Sequence, residues 1–264
     1  MIEVENLSLV LGKSEILHSI SFHAKAGHLT TIIGTNGSGK TTLLKALGGE
    51  LAYTGKIKFN GNDIATKKPL EMAAIRAVLP QSASLSFPFL VREVVALGLS
   101  TSLQPKKLQT CLPEMALAKV DLSGYEARFY QELSGGEQAR VQLARVLCQI
   151  WEPLIDKQPC WLLLDEPVAN LDIHHQMVVM DIAKNFARSG GGVLTILHDL
   201  NLAAHYSDKI ILLDHGNIVS EGAPAKVLTT PTLRERYHCN LTVSKLPPEG
   251  VPFVLPQSFS PHGS

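Results

Sequence analysis

The alternation of apolar and polar side chains predicts strands at the beginning of this chain. Residues 2–11 and 15–24 mostly alternate between the two classes, which is typical of two antiparallel strands, here joined by a turn near Gly12. A short strand with β-branched side chains follows at residues 28–34 and leads directly into a glycine-rich loop. Residues 41–47 then have the pattern of a helix.

The middle of the chain changes to helical periodicity. We predict an edge strand at residues 55–61 and a core strand at residues 75–81, after which residues 91–151 are largely helical. Within that segment, a stripe of apolar residues recurs at helical spacing and is most simply explained as core-facing. The stripe consists of Val141, Ala144, Leu147 and Trp151.

Strands and helices alternate in the last third of the chain. Strands are predicted at residues 160–165, 193–198 and 209–214. This β/α alternation predicts an α/β fold with a mainly parallel sheet, interrupted by the helical insertion. The chain after Thr242 is predicted to be irregular because it is rich in proline. These prolines are Pro247, Pro248, Pro252, Pro256 and Pro261.

Composition narrows the class of partner. The 264 residues include 24 Lys and Arg and 24 Asp and Glu, so the formal net charge is zero. A neutral chain without a basic stripe argues against nucleic acid as the main partner. Hydrophobic residues make up 45% and the mean hydropathy is +0.12, but no apolar run approaches the roughly 20 residues that span a bilayer. The N-terminus resembles no secretion leader, so we expect a cytoplasmic protein with some apolar surface for a partner.

Neither the histidines nor the cysteines have the spacing of a metal site. His174 and His175 begin a predicted helix, and adjacent helical residues do not share a face. We therefore interpret the histidines as surface features and not as ligands of haem or a metal. The four cysteines are far apart and are expected to be buried free thiols. They are Cys111, Cys148, Cys160 and Cys239.

A complete phosphate-binding loop stands between a predicted strand and a predicted helix. Its glycines let backbone N–H groups surround phosphate oxygens, and the helix N-terminus adds a favourable potential. We expect Lys40 to reach the β- and γ-phosphates of ATP, Thr41 to bind Mg²⁺, and Thr42 to hydrogen-bond a phosphate further back. The loop, which fits the pattern G-x-x-x-x-G-K-[ST], reads Gly34-Thr35-Asn36-Gly37-Ser38-Gly39-Lys40-Thr41.

An acidic pair, Asp165 and Glu166, closes the apolar strand Trp161-Leu162-Leu163-Leu164. A continuous apolar run predicts a strand buried on both faces, and ligands bind at the carboxyl ends of such strands. We expect Asp165 to hold Mg²⁺, directly or through water, and Glu166 to polarise the attacking water as general base. An acidic pair can also cap a turn and a helix, but the phosphate loop upstream favours the catalytic interpretation.

A second glycine-rich element reads Leu133-Ser134-Gly135-Gly136-Glu137. Ser134 is a good helix N-cap, and capping alone is the simpler interpretation. Capping does not require two adjacent glycines, however, and these cost helix stability. Backbone N–H groups aimed at an anion explain them. Because this element has no lysine of its own, it makes most sense if it completes a nucleotide site on another copy of the chain.

Taken together, these motifs resemble the ATP-binding subunit of an ABC transporter, over nearly the whole chain. The resemblance implies a P-loop NTPase core with a RecA-like parallel sheet, an N-terminal antiparallel β subdomain, and an inserted helical subdomain at about residues 88–155. The ATPase domain would cover residues 1–240, and residues 241–264 would form an irregular tail. It also implies a homodimer that acts at the cytoplasmic face of the inner membrane with permease subunits, served indirectly by a periplasmic substrate-binding protein.

The family's remaining site residues can be matched one at a time. Gln81 fits the glutamine that touches Mg²⁺ or water and senses the membrane partner. Asp172 ends a loop that crosses the dimer interface, and His198 fits the histidine that contacts the γ-phosphate. A lone glutamine or histidine after a strand is usually structural, but the order and spacing of the set favour the family. The resemblance further implies that Ser134, Gly135 and Gly136 bind the γ-phosphate held by the opposite subunit, and that the catalytic groups are Glu166, His198, Lys40 and Gln81.

The chain departs from the family pattern at two places. No aromatic residue stands in the region that usually stacks on adenine, which leaves Leu11 to supply an apolar contact. Glu137 replaces a commoner glutamine, and Val168-Ala169-Asn170 replaces a Thr- or Ser-rich run. Neither departure removes a catalytic group.

Three segments bear on the cargo. Residues 87–95 resemble the segment after the glutamine loop in importers of iron chelates, haem and cobalamin. Residues 148–159 lengthen the connection to the next strand, and together with residues 76–81 they are similar to ATPases of haem importers. The same segments also fit generic linkers, which tolerate insertions.

We therefore expect a haem-import ATPase, with ferric siderophore or cobalamin import as the second choice. A soluble ABC ATPase of cluster assembly, translation or DNA repair is disfavoured, because the sequence has no coiled-coil insertion, second cassette or basic face.

Overall fold

The computed structural model describes residues 1–81 and 87–256. In these ranges the strands are β1 (Ile2–Leu11), β2 (Ser14–Ala24), β3 (Leu29–Ile33), β4 (Thr54–Phe59), β5 (Asn62–Asp63), β6 (Arg76–Leu79), β7 (Leu154–Ile155), β8 (Gln158–Pro159), β9 (Trp161–Asp165), β10 (Gly192–Ile196), β11 (Lys209–Asp214) and β12 (Asn217–Gly222). The α-helices are α1 (Lys40–Gly48), α2 (Pro69–Ala73), α3 (Val91–Ala96), α4 (Lys106–Gln109), α5 (Leu112–Lys119), α6 (Gly135–Gln149), α7 (Ile173–Arg188), α8 (Leu200–Tyr206), α9 (Pro224–Val227) and α10 (Thr230–Tyr237).

The N-terminal strands form an antiparallel sheet in the order β2-β1-β4-β5. The two predicted strands β1 and β2 are confirmed, and their turn contains Gly12 at φ 63°, a conformation that glycine adopts at little cost. The predicted edge strand at residues 55–61 corresponds to β4. It is not at the edge along its whole length, because the two-residue β5 pairs with Lys58 and Phe59.

The central sheet has the order β12-β11-β3-β10-β9-β6. Its neighbours are parallel except for β12, which pairs antiparallel with β11. Every residue of β3, β9 and β10 is buried, which explains their continuous apolar and β-branched sequences. The predicted α/β fold with a mainly parallel sheet is confirmed. The prediction of a core strand at residues 75–81 is wrong in position, because β6 forms the edge of the sheet beyond β9.

Helices α3 to α6 lie between β6 and β9 in the chain, where helical periodicity was predicted. On α6, Val141 and Ala144 are fully buried and Leu147 is 4% exposed, so the core-facing stripe is confirmed. Trp151 packs half-buried just beyond the helix. These helices share one hydrophobic cluster with one face of the central sheet, including Leu162 of β9.

The opposite face of the central sheet packs against the N-terminal sheet and α1. The fully buried Trp161 of β9 contacts Phe59 edge-to-face with the ring centroids 6.0 Å apart. Its Nε1–H also donates a hydrogen bond of 3.1 Å to Asn60 Oδ1. The apolar ring is therefore packed in the core while its polar N–H has a hydrogen-bond partner. This contact joins the two sheets. Elsewhere in the same layer, Leu17 of β2 lies against Gly39 of the glycine loop.

The cysteines do not all follow the prediction. Cys148 and Cys160 are buried, and burial raises the pKa of their thiols to about 12 and about 11. Cys111 and Cys239 are exposed, so the expectation of a buried thiol is wrong for these two. Both stand just outside a helix, Cys111 before α5 and Cys239 after α10, where the chain leaves the core.

The segment after α10 is irregular as far as the structure describes it. Residues 238–255 contain neither helix nor strand, as the prolines predicted, while Pro261 lies outside the described residues. The segment is attached to α10 by Arg234 Nε, which donates to the Leu241 carbonyl at 2.8 Å, and by the N–H of Val243, which donates to Thr230 Oγ1 at 2.9 Å. Within residues 1–81 and 87–256, no helix is long and apolar enough to cross a membrane.

Candidate functional site

The glycine loop connects the end of β3 to the start of α1. Gly34 has φ 151°, and a Cβ there would lie 2.1 Å from the Leu213 carbonyl oxygen. Gly39 is the helix N-cap at φ 100°, and Gly37, at φ 79°, has no atom within 4 Å of a Cβ position. The loop therefore needs glycine for two reasons, close packing at Gly34 and backbone conformation at all three positions.

The loop contains two buried polar side chains. Lys40 is 6% exposed, and its Nζ donates to the carbonyls of Gly34 at 3.0 Å and Thr35 at 2.9 Å. Burial lowers the pKa of Lys40, although the carboxylates of Glu166 and Asp165 act in the opposite direction. Ser38 is 2% exposed, and its Oγ has no hydrogen-bond partner among the described residues. A buried ammonium held only by neutral carbonyls and an unpaired hydroxyl are suited to an anion.

Asp165 ends β9 directly beside the loop. Its carboxylate is buried, and the Thr41 hydroxyl donates to Asp165 Oδ1 across 3.4 Å. Burial raises the pKa of Asp165, and the bond from Thr41 opposes this shift. Hydroxyl and carboxylate oxygens are the ligands that Mg²⁺ prefers, so this pair fits a magnesium ion.

Glu166 and His198 form a direct pair that the sequence analysis did not predict. His198 Nε2 lies 2.6 Å from Glu166 Oε1. Because a carboxylate only accepts hydrogen bonds, the imidazole nitrogen is the donor. The Glu166 side chain is 15% exposed and that of His198 is 45% exposed. Glu166 also has φ 51°, an uncommon backbone conformation for a residue other than glycine.

Gln81 is exposed just beyond β6 and faces the two acids. It lines, with Asp165 and Glu166, a cavity of about 180 Å³. The structure thus brings together the predicted residues of the loop and of the ends of β6, β9 and β10. Three further polar side chains line this cavity and were not predicted, since each lies in or just before α6 without a motif of its own: Tyr130, Gln138 and Gln142.

Ser134 is the N-cap of α6 and forms a capping box with Glu137. The N–H of Glu137 donates to Ser134 Oγ at 3.3 Å, and the Glu137 carboxylate accepts from the N–H and the hydroxyl of Ser134, both at 2.8 Å. These bonds lower the pKa of Glu137. Ser134 therefore caps α6, and Glu137, which stands where the family more often has glutamine, takes part in the cap. A Cβ on Gly135 would meet no atom within 4 Å, whereas one on Gly136 would lie 3.1 Å from the Asn170 carbonyl oxygen, so the open part of the first helical turn is at Gly135.

The Ser134 element lines a cavity beside α7, and Gly135 also lines the smaller cavity with Asp165 and Glu166. Ser134, Gly135 and Gly136 line a cavity of about 700 Å³ together with Asp172 and His175. No residue from 34 to 42 lines it. Neither of the two cavities that the Ser134 element lines includes a residue of the glycine loop.

Two residues at the edge of the loop complete the description. Leu11, in the region expected to contact adenine, is 44% exposed at the end of β1. Tyr237, which the sequence does not mark as a site residue, ends α10, and burial raises its pKa to about 12, while an interaction with the N–H of Gly34 acts in the opposite direction. No motif marks Tyr237, because the contact depends on how α10 packs.

Comparisons with known proteins agree with this geometry. The family model described as ABC transporter matches residues 17–169. A hemin import ATP-binding protein of Bartonella quintana is 60% identical over 263 residues, covering 98% of this chain and 99% of the relative. The hemin import ATP-binding protein of Rhizobium etli is 52% identical, covering 98% of each chain.

Solved structures of low sequence identity share the fold. An inward-facing metal-chelate type ABC transporter superimposes with a TM-score of 0.73 at 26% identity, covering 90% of this chain and 88% of that one. A nucleotide-free ATP-binding cassette gives a TM-score of 0.76 at 25% identity, covering 90% and 98%.

Proposed function

This chain belongs to the ABC transporter family, and we propose that it is the ATP-hydrolysing subunit of a bacterial haem importer. The assignment of haem as the cargo rests on the 60% identity to a hemin import ATP-binding protein over nearly the full length of both chains. An ATPase subunit of a transporter does not itself touch the cargo, so the cargo is inferred from the relatives and the chemistry from the site.

In the proposed reaction the triphosphate of ATP lies in the glycine loop. The backbone of Gly34, Asn36, Gly37, Ser38 and Gly39 surrounds the phosphates, and Thr42 contacts a phosphate further back. Lys40 exchanges its two carbonyl partners for β- and γ-phosphate oxygens, which are acceptors of opposite charge. The partnerless hydroxyl of Ser38 supports an acceptor at this position.

Thr41 and Asp165 would hold Mg²⁺, with Gln81 as a further oxygen ligand. Their oxygen donors fit this ion, and Asp165 is a buried carboxylate that lacks a close cation partner among the described residues. When bound, Mg²⁺ supplies positive charge that neutralises the phosphate oxygens.

Glu166 then acts as the general base. It accepts a proton from water as the water oxygen attacks the γ-phosphorus, and the bond to the β–γ bridging oxygen breaks to leave ADP and inorganic phosphate. His198 would move its N–H from Glu166 toward a γ-phosphate oxygen, where Lys40 also stabilises the developing charge. The 2.6 Å contact supports this exchange, because the His198 N–H already lies within hydrogen-bonding distance of the proposed base Glu166.

Two copies would be needed for a complete site. Ser134, Gly135 and Gly136 face a cavity that no residue of the glycine loop lines. In a head-to-tail homodimer, this element would bind the γ-phosphate held by the opposite chain, and Asp172 would lie at the interface. The first turn of α6 supports the proposal: the N–H groups of Ser134 and Glu137 are used in the capping box, which leaves those of Gly135 and Gly136, with the helix dipole, to attract an anion.

The permease would bind near Gln81 and residues 87–93. Phe87 is 71% exposed, and the exposed apolar side chains of the proposed helical subdomain at residues 88–155 include Leu97 at 48% and Leu103 at 60%. Exposed apolar side chains in one region favour a protein partner. This arrangement would place the ATPase domain (residues 1–240) and the irregular tail (residues 241–264) at the cytoplasmic face of the inner membrane, with a periplasmic binding protein delivering haem.

A broader cargo class is the second candidate. The fold similarity to a metal-chelate type transporter at 26% identity favours ferric siderophores or cobalamin as alternatives. Both alternatives keep the same ATPase chemistry.

Reconstitution with a candidate multi-helix permease tests the proposal. Purification from detergent-solubilised membranes should yield a complex, and proteoliposomes containing it should take up haem only when ATP is supplied on the side of this chain. The matched complex with Glu166→Gln should take up none. ATP-dependent uptake of ferric siderophore or cobalamin instead of haem would replace the cargo assignment. A chain that never associates with a permease would contradict the transporter role.

A further inference from the structure

Three metal-ligating side chains meet on the surface beside α7. One nitrogen of each imidazole of His174 and His175 and one carboxylate oxygen of Asp121 lie within 4.8 Å of one another. The His174 Nε2 atom is 3.5 Å from Asp121 Oδ2. Two ligands of one tetrahedral ion at about 2.0–2.2 Å each are separated by about 3.3 Å, so this pair already has the spacing of one edge of such a site.

The two adjacent histidines converge although they do not share a helix face. Their ring centroids are 5.1 Å apart in a T-shaped arrangement. They stand in the first turn of α7, where side chains can reach past the helix end toward the loop that carries Asp121. The sequence argument against a paired role therefore does not hold at this position.

A carboxylate orients His175 for metal binding. His175 Nδ1 lies 2.9 Å from both carboxylate oxygens of Asp172. A carboxylate accepts hydrogen bonds, so Nδ1 carries the proton and donates it. The free electron pair is then on Nε2. Metal-binding histidines almost always donate their second N–H to a carboxylate or carbonyl in this way.

Arg140 holds the backbone of the loop that contains Asp121. Arg140 is 7% exposed, and its Nη1 donates to the carbonyls of Val120 at 2.8 Å and Asp121 at 3.0 Å. Asp121 itself has φ 56°, which aspartate and asparagine tolerate better than most residues. The positive charge of Arg140 repels a nearby cation, but the two negative charges of Asp121 and Asp172 together exceed that single positive charge.

We propose that Asp121, His174 and His175 bind a divalent transition-metal ion of the Zn²⁺ class, with the fourth position open to water. Two imidazoles and one carboxylate suit Zn²⁺, whereas Mg²⁺ prefers oxygen ligands. The site is therefore chemically distinct from the Thr41 and Asp165 pair. A bound ion joins the loop between α5 and α6 to the start of α7, next to Asp172.

Metal titration of the chelator-treated, nucleotide-free full chain without an affinity tag tests the site. Calorimetry with ZnCl₂ should show one site per chain, and Zn²⁺ should raise the melting temperature. His174→Ala and Asp121→Asn should each weaken Zn²⁺ binding at least tenfold and remove that stabilisation. Both variants should melt like the wild type without metal, because alanine suits the helix and asparagine tolerates the Asp121 backbone.

His215→Ala is the matched control, since His215 is also exposed and bonds a neighbouring carboxylate, Asp214, at 2.8 Å. It should bind Zn²⁺ with wild-type affinity. Co²⁺ as a spectroscopic probe should give the absorption bands of a tetrahedral site without thiolate charge transfer. A thiolate band would assign the ion to Cys111 or Cys239 and overturn the proposal. So would a wild-type chain without a single strong site, or ligand variants that bind like the control.

Discussion

His198 Nε2 donates a hydrogen bond of 2.6 Å to Glu166 Oε1 and so joins the ends of two neighbouring strands. The contact follows from the sheet register. β9 and β10 are parallel neighbours in which Asp165 is paired with Ile196, so the residues just beyond them emerge side by side. The proposed base and the proposed phosphate-binding histidine are thus held together before nucleotide arrives.

Replacing Glu166 by glutamine should remove the base but keep the shape of the site. We expect ATP turnover to fall by about 10²–10⁴-fold, the usual contribution of a general base, while ATP affinity stays near the wild-type value. Phosphate release and equilibrium nucleotide binding measure the two quantities. The closed dimer should accumulate in gel filtration with ATP. The exposed Glu249→Gln change is the control, and normal hydrolysis by Glu166→Gln would overturn the assignment.

Replacing His198 by alanine should remove one donor from the γ-phosphate and from Glu166. Turnover should fall by about 10²-fold or more, as for loss of one preorganised donor in an active site, with little change in ATP affinity. His198→Gln retains an N–H donor and should recover part of the activity in the same phosphate-release assay. Equal activities for the alanine and glutamine variants would argue against a role as donor, and His215→Ala should behave as the wild type.

Tyr237→Phe tests the contact between α10 and the glycine loop. At neutral pH the variant should lose about 0.5–1.5 kcal/mol of unfolding free energy, because the interaction of the Tyr237 hydroxyl with the Gly34 N–H is removed. The pKa of Tyr237 is raised in the folded state from 10.0 to about 12, so its contribution is complete below pH 10.0 and is lost as the pH rises toward 12. Urea unfolding should show the wild-type advantage shrinking over this interval. Parallel pH curves for the two proteins would contradict the burial of the Tyr237 hydroxyl, which is the main cause of its raised pKa.

The local parts of the site were predictable from sequence and the contacts between distant segments were not. The loop from Gly34 to Thr41 consists of adjacent residues, so its motif can be found in the sequence. Strand β9 can be recognised from the continuous apolar run before Asp165. The bond between Glu166 and His198 requires the register of β9 and β10, which periodicity does not reveal. The contact of Tyr237 with Gly34 requires the packing of α10, a segment without any motif.

The errors of the sequence analysis have similar causes. The β6 strand was assigned to the core because of its apolar residues, but its place at the sheet edge depends on strand order. Cys111 and Cys239 were assigned to the interior by residue type, although both stand at helix ends. The expectation that the side chains of His174 and His175 point away from each other follows from a rule for the helix interior. That rule does not apply in the first turn of a helix.

The central claim is that the glycine loop of one chain and Ser134 of another form one catalytic site. It is tested most directly by ATP hydrolysis in a mixture of Ser134→Arg and Lys40→Ala chains, each expected to be inactive alone. Half of the randomly paired dimers contain one intact site of two, so about one quarter of wild-type activity should return. A control mixture of Lys40→Ala and Glu166→Gln chains should remain inactive, because both changes affect the same half-site. Activity in the first mixture no greater than the sum of its separate components would contradict the shared site.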